Sequence, residues 1–115
     1  MALPPRIPKK PKRATRWRSQ AHCNFVRSHA CCACQSTAAI EVAHVRIGSG
    51  AGIGQRPDDF RTISLCRECH SHQHRVGEIA FEAFHGFSMA EMADAFAKAS
   101  PKASEIRLVQ RERAA

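Results

Sequence analysis

Two Cys-x-x-Cys pairs, Cys31/Cys34 and Cys66/Cys69, constrain this chain more than any other feature it carries. Each pair presents two thiols on one tight turn, and two such turns supply the four ligands of a tetrahedral metal such as Zn²⁺. Such a metal tolerates a long excursion between the pairs, here residues 35–65. A thioredoxin-like redox site would use one pair rather than two, and an iron–sulfur cluster is the weaker competitor. With 115 residues, six Phe, one Trp and no Tyr, the chain can build only a thin core. A structural zinc held by Cys31, Cys34, Cys66 and Cys69 would supply the missing stability, since binding at such sites is worth on the order of 10–16 kcal/mol in peptides. Cys23 and Cys32 are left over and read as small buried or free thiols.

Six cysteines could instead pair as disulfides in an exported protein. The amino terminus is broken by Pro4, Pro5, Pro8 and Pro11 and carries no apolar h-region, so reduced thiols in a cytoplasmic protein are expected. No apolar run approaches the roughly 20 residues that span a bilayer.

Charge is distributed unevenly. Arg6, Lys9, Lys10, Lys12, Arg13, Arg16, Arg18 and Arg27 all lie in residues 1–40, which contain no acid, so the whole net charge of +8 sits there. Residues 1–20 read as a disordered basic arm, because four prolines prevent a helix and like charges repel. Such an arm suits a polyanion, nucleic acid being the commonest; the bland alternative is a solubilising tail. The expected nucleic-acid contacts are Lys9, Lys10, Lys12, Arg13, Arg16, Arg18 and, beyond the arm, Arg56. Trp17 could stack on a base or pack back on the domain.

Patterning divides the rest. Residues 21–30 read as a short helix with Phe25 and Val26 inward. Residues 39–47 read as a strand, with Ile40, Val42, His44 and Arg46 on one face and Glu41, Ala43, Val45 and Ile47 on the other. The Gly48–Gly54 stretch lacks the Gly-Lys-Ser/Thr ending of a phosphate-binding loop and reads as a flexible loop. Residues 61–65 suggest a second strand. A helix after Cys66 runs towards Phe84 with Ile79, Phe81 and Phe84 as apolar candidates and Gly86 as its stop. Ser88 with Glu91 forms a capping box for a helix to Ala99, whose Met89, Met92, Ala93 and Phe96 stripe reads as packing surface. The last dozen residues read as a frayed helix. The expected division is an arm at 1–20, a zinc-bound α+β domain at 21–86 and a helical extension at 87–115.

Three histidines carry candidate chemistry. His70 and His74 stand one helical turn apart, directly after a knuckle that would anchor their helix, and could share one divalent ion. His44 lies mid-strand between valines, an unusual place for an idle polar group. A neutral imidazole there could take a proton from water, as phosphodiester hydrolysis requires. Arg46, on the same face, could bind the scissile phosphate. The bland alternative is a buried histidine bonded to backbone.

The order Cys-x-x-Cys, a strand ending Ala43-His44-Val45-Arg46, a Gly-rich loop, Pro57-Asp58, then Leu65-Cys66-x-x-Cys69-His70-x-x-x-His74 resembles the zinc-containing HNH endonucleases, closest to small nucleases encoded by phages and prophages. The resemblance covers roughly residues 30–78. It implies a ββα-metal finger, with His44 as the general base and with His70 and His74 holding a catalytic Mg²⁺, Mn²⁺ or other divalent ion. The structural zinc would lie beneath the helix. Ala43 stands where many relatives carry Asp or His. The middle Asn of the family is also absent, with Asp59 a candidate to serve in its place through the loop or as a metal ligand. The reading that follows is a metal-dependent DNA endonuclease of low sequence specificity, acting on double-stranded or branched DNA in a bacterial or phage-infected cell. The competing reading is a non-catalytic zinc module that binds nucleic acid or protein.

Overall fold

The structure is a computed structural model that describes residues 2–8, 16–51 and 55–114. Among these, the chain is α+β: a two-stranded sheet and five helices. Helix α1 (Gln20–Arg27) leads to strands β1 (Ile40–His44) and β2 (Thr62–Cys66), followed by α2 (Arg67–Val76), α3 (Glu78–His85), α4 (Met89–Ala99) and α5 (Ala103–Ala114). The strands pair antiparallel, Ile40 opposite Cys66 and His44 opposite Thr62.

Alternation along β1 shows only towards its end, since Ile40, Glu41 and Val42 are all half-buried. Ala43 and, just past the strand, Val45 are buried, whereas Ile40, Val42 and His44 are half-exposed. β1 is shorter than the strand read over 39–47. Val45 N–H still donates to Arg61 C=O at 2.7 Å, but Arg46 N–H turns to the Glu78 carboxylate at 2.7 Å. All five residues of β2 are buried, because α1, α2 and α4 pack around it. Its polar members are bonded: Thr62 Oγ1 donates to Asp59 C=O at 2.7 Å and Ser64 Oγ to Ala30 C=O at 2.8 Å. The main core joins Val26, Ala43, Val45, Ile63, Leu65, Phe81, Met89, Ala93 and Phe96.

Helix boundaries depart from the sequence reading where the backbone turns. α1 is capped by Ser19, whose hydroxyl accepts from His22 N–H, and buries Val26, with Phe25 only partly covered. The helix after Cys66 does not run unbroken to Phe84: Gly77, at φ +89° and ψ 159°, divides it into α2 and α3. That conformation is open essentially to glycine alone. In the short α3 only Phe81 reaches the core, and Ile79, about 200° round the helix from it, is exposed. Phe84 is also exposed and lies edge-on to the His72 and His85 rings. α4 starts as expected, with Ser88 Oγ accepting from Glu91 N–H, and Met89, Ala93, Phe96 and Ala97 buried.

The segment just ahead of α1 meets α4 and α5. Trp17, Phe60, Ala97 and Ile106 form a second apolar cluster, and the Trp17 indole N–H donates to Glu105 on α5 at 3.0 Å. α5 is therefore a packed helix rather than a frayed one. Residues 16–19, assigned from sequence to the disordered arm, are held on the domain. Residues 2–8 are exposed without regular structure, and Lys9, Lys10, Lys12 and Arg13 fall outside the described residues, as do Gly52 and Gly54. No helix among the described residues is long and apolar enough to cross a membrane.

His22 is fully buried, its Nδ1 2.7 Å from Ser100 Oγ and its Nε2 3.5 Å from Thr62 Oγ1. Burial lowers its pKa below the usual 6.5 and outweighs the nearby Asp59 carboxylate, which raises it. The unfolded chain therefore takes up this proton first as pH falls, so stability present above 6.5 is lost below it. The urea midpoint should drop between pH of about 7.5 and about 5.5, and drop less in His22→Gln. Equal drops in both proteins would acquit His22.

Candidate metal centre and histidine cleft

The first knuckle follows α1 and the second opens α2, and pairing of the strands brings the two together. Cys31, Cys34, Cys66 and Cys69 place their sulfurs all within 4.8 Å of one another. Cys34 Sγ lies 3.7 Å from Cys66 Sγ. Four thiolates at zinc–sulfur bonds of about 2.3 Å in a tetrahedron sit about 3.75 Å apart, so the observed edge fits such an ion. The turns are built for this. Gln35, at φ +67°, folds back so that its N–H donates to Cys31 C=O at 2.9 Å, and Cys66 caps α2 by accepting from Cys69 N–H. Burial raises the Cys31 thiol, but N–H groups of Cys66, Cys34 and Ala33 aimed at it prevail and bring it to about 7. The quartet could thus bind a metal ion such as zinc. Cys32 lies outside it, its sulfur 3.4 Å from Ser64 Oγ.

A cleft of about 570 Å³ opens on the other side of β1, bordered by His44, Asp59, His70, Glu41, Cys23 and Arg56 among others. His44 closes β1 and donates from Nε2 to Asp59 Oδ1 at 2.9 Å. Asp59 is nearly buried, and its other oxygen accepts from Ser19 N–H at 2.8 Å, while Arg18 lies 3.2 Å from Oδ1. Burial alone would raise the Asp59 carboxyl; the bonds from His44 and Ser19 and the charges of His44 and Arg18 override it and hold it down at about 2. Asp59 is thus a carboxylate at any ordinary pH and fixes the imidazole so that Nδ1 is the nitrogen left to take a proton. On α2, His70 and His74 face each other with their Nε2 atoms 3.1 Å apart. Two nitrogens about 2.1 Å from one ion stand about 3.0–3.4 Å apart, so this pair fits two positions of a metal's shell.

The structure brings His44, Asp59 and His70 to one cleft, with His74 paired to His70, but it separates other residues named from sequence. Asp59 does not converge with the histidine pair as a third ligand. Among the described residues the cysteine quartet is the one group of three or more such side chains that closes on a point, and both Asp59 oxygens are engaged elsewhere. Arg46 lies past the end of β1, exposed, with its backbone tied to Glu78, and does not border the cleft. Trp17 is 9% exposed and packs on Phe60, so it is core rather than a stacking platform. Arg18 is committed internally, to the carbonyls of Pro57 and Arg56 and to Asp59, because a buried carboxylate needs a cation. Arg16 pairs with Asp58 at 3.5 Å and with Gly50 C=O at 3.0 Å. Arg56 is exposed at the cleft.

Glu41, Cys23 and Arg27 also border the cleft and were not read as site residues. Alternation puts Glu41 on the face opposite His44, yet α2 packs against β1 and His70 reaches back to it. Cys23 and Arg27 arrive from α1, a placement no local pattern encodes. Burial and the adjacent Asp59 raise the Cys23 thiol to about 11, so it stays protonated.

The quartet is open to direct test with cobalt. Co²⁺ loaded into metal-depleted protein should give intense thiolate-to-cobalt absorption at one ion per chain, lost in Cys66→Ser together with cooperative melting. Melting unchanged by strong chelators and by Cys66→Ser would mean that the sulfurs cluster without a metal.

Comparison with known proteins adds little chemistry. No curated protein and no solved structure matches the chain. A family model described as a protein of unknown function (DUF968) matches residues 4–101, most of the chain and all of the histidine and cysteine positions discussed above. The chain belongs to the DUF968 family.

Proposed function

We propose that this protein is a metal-dependent DNA endonuclease of the HNH type, hydrolysing phosphodiester bonds at the cleft beside β1. The observation that carries this reading is the pairing of His44 with Asp59 in the same cleft as His70, itself 3.1 Å from His74. The succession of β1, β2 and α2, with a cysteine quartet joining the turn before β1 to the start of α2, supports a ββα-metal finger. In this reading Cys31, Cys34, Cys66 and Cys69 hold a structural zinc.

The chemistry asked of the chain's own residues is modest. His44 Nδ1 takes a proton from a water molecule as its oxygen attacks phosphorus, the bond from phosphorus to the leaving oxygen breaks, and that oxygen takes a proton from solvent. The resulting imidazolium is stabilised by Asp59, which also prevents the ring from presenting the wrong nitrogen. His70 and His74 would hold a divalent ion such as Mg²⁺ or Mn²⁺, which when bound supplies charge to offset that on the phosphoryl and leaving oxygens. Arg56 and Arg27, both exposed at the cleft, offer cations to the flanking phosphates. Contacts to phosphates carry no sequence information, in keeping with low sequence specificity. In this reading the protein acts on DNA with its thiols reduced, in the cytoplasm of a bacterial or phage-infected cell.

Nicking of supercoiled plasmid by the zinc-loaded protein tests this. Cleavage is expected with Mg²⁺ or Mn²⁺, absent in EDTA, and reduced about 10²–10⁴-fold in His44→Ala. Asp59→Asn should also lose rate, because the amide can hold the ring in the other tautomer. Undiminished cleavage by His44→Ala would overturn the assignment of the base. DNA binding without cleavage of plasmid or branched duplex would favour a non-catalytic zinc module, a reading to which Ala43 and the two-ligand histidine pair lend weight.

A further inference from the structure

We propose that Glu41 is a positioning residue for the histidine pair: it fixes the ring of His70 so that Nε2 turns its lone pair towards Nε2 of His74. The inference rests on the reading that these histidines hold a divalent ion. His70 Nδ1 lies 3.0 Å from Glu41 Oε1, and His70 Nε2 lies 3.1 Å from His74 Nε2. A carboxylate can only accept, so in the neutral ring Nδ1 carries the proton and Nε2 is the unprotonated nitrogen. A neutral imidazole left to itself divides its proton between the two nitrogens, and its ring torsion is broad. One carboxylate contact removes both freedoms at once.

Glu41 is itself held. Its Oε2 lies 3.7 Å from Arg67 Nε, leaving Oε1 to His70, and Arg67 N–H is tied to Ala39 C=O at 3.0 Å at the start of β1. The strand, the first turn of α2 and the histidine ring thus form one braced unit. Histidines that ligate metals almost always donate their second ring N–H to such a group, which sets the tautomer and makes the ligand more basic. An idle ion pair between exposed side chains would not need to leave the partner's second nitrogen 3.1 Å from another imidazole nitrogen.

The test is a Mn²⁺ titration of the full-length, zinc-loaded protein followed by EPR, in which the free ion's signal reports binding without DNA. Wild type should bind one Mn²⁺, with nitrogen coupling in the pulsed spectrum that is lost in His70→Ala. Glu41→Ala should weaken the affinity about 10- to 100-fold with the melting temperature unchanged. Glu41→Gln, which keeps an acceptor oxygen, should fall between the two. Equal affinity in Glu41→Ala and wild type, or no Mn²⁺ uptake by wild type, would overturn the proposal. Plasmid cleavage scored on the same samples separates it from the nuclease reading. Glu41-dependent Mn²⁺ binding without cleavage sinks only the nuclease, and cleavage with full affinity in Glu41→Ala sinks only the positioning role.

Discussion

Asp58 and Asp59 are two adjacent carboxylates taken almost wholly out of water, and much of the architecture answers their need for partners. Asp58 accepts from Trp17 N–H at 2.6 Å, bonds Arg113 from α5 and attracts Arg16. Burial would raise its carboxyl, yet these groups keep it below the ordinary range. Asp59 collects Ser19 N–H, Arg18 and His44. The segment before α1, the loop before β2, the end of β1 and the carboxy-terminal helix are therefore tied together at two consecutive residues. The apolar cluster around Trp17 and Phe60 packs beside this knot and keeps water from loosening it.

The two centres of the molecule are joined through short, stiff elements. Cys66 is at once the last residue of β2, the cap of α2 and a member of the quartet. His70 follows it by one turn, so any ion that locks the quartet also fixes the direction from which His70 faces the cleft. From the opposite side, Thr62 pairs with His44 across the sheet and bonds Asp59 C=O. The sheet is only two strands wide, yet one end of it carries a member of the cysteine quartet and the other the His44–Asp59 pair.

What could be read from sequence was what local rules encode. The cysteine quartet was legible because two knuckles and a metal's ligand count leave few alternatives. Helix α4 was legible from Ser88 and Glu91. The break at Gly77 was not, since a glycine within a helical pattern is often tolerated and only the backbone turn distinguishes it. Packing of Trp17 on the domain, left open beside base stacking, and the engagement of Arg18 by Asp59 could not be settled locally because the acids that bond them lie about 40 residues away. Glu41 was overlooked for the same reason: its partner comes from α2, and strand alternation pointed it elsewhere. Long-range electrostatic pairing leaves no periodic trace.

The position of Ser19 has a consequence for how small this unit can be made. A fragment beginning at Gln20 would retain every cysteine and histidine, and by motif alone would look complete. It would nonetheless strip two of the three partners from Asp59 and the backbone donor from Asp58, leaving bare charge beneath the cleft. The shortest chain able to keep His44 in register therefore starts upstream of Trp17, well before the first residue that any metal would touch.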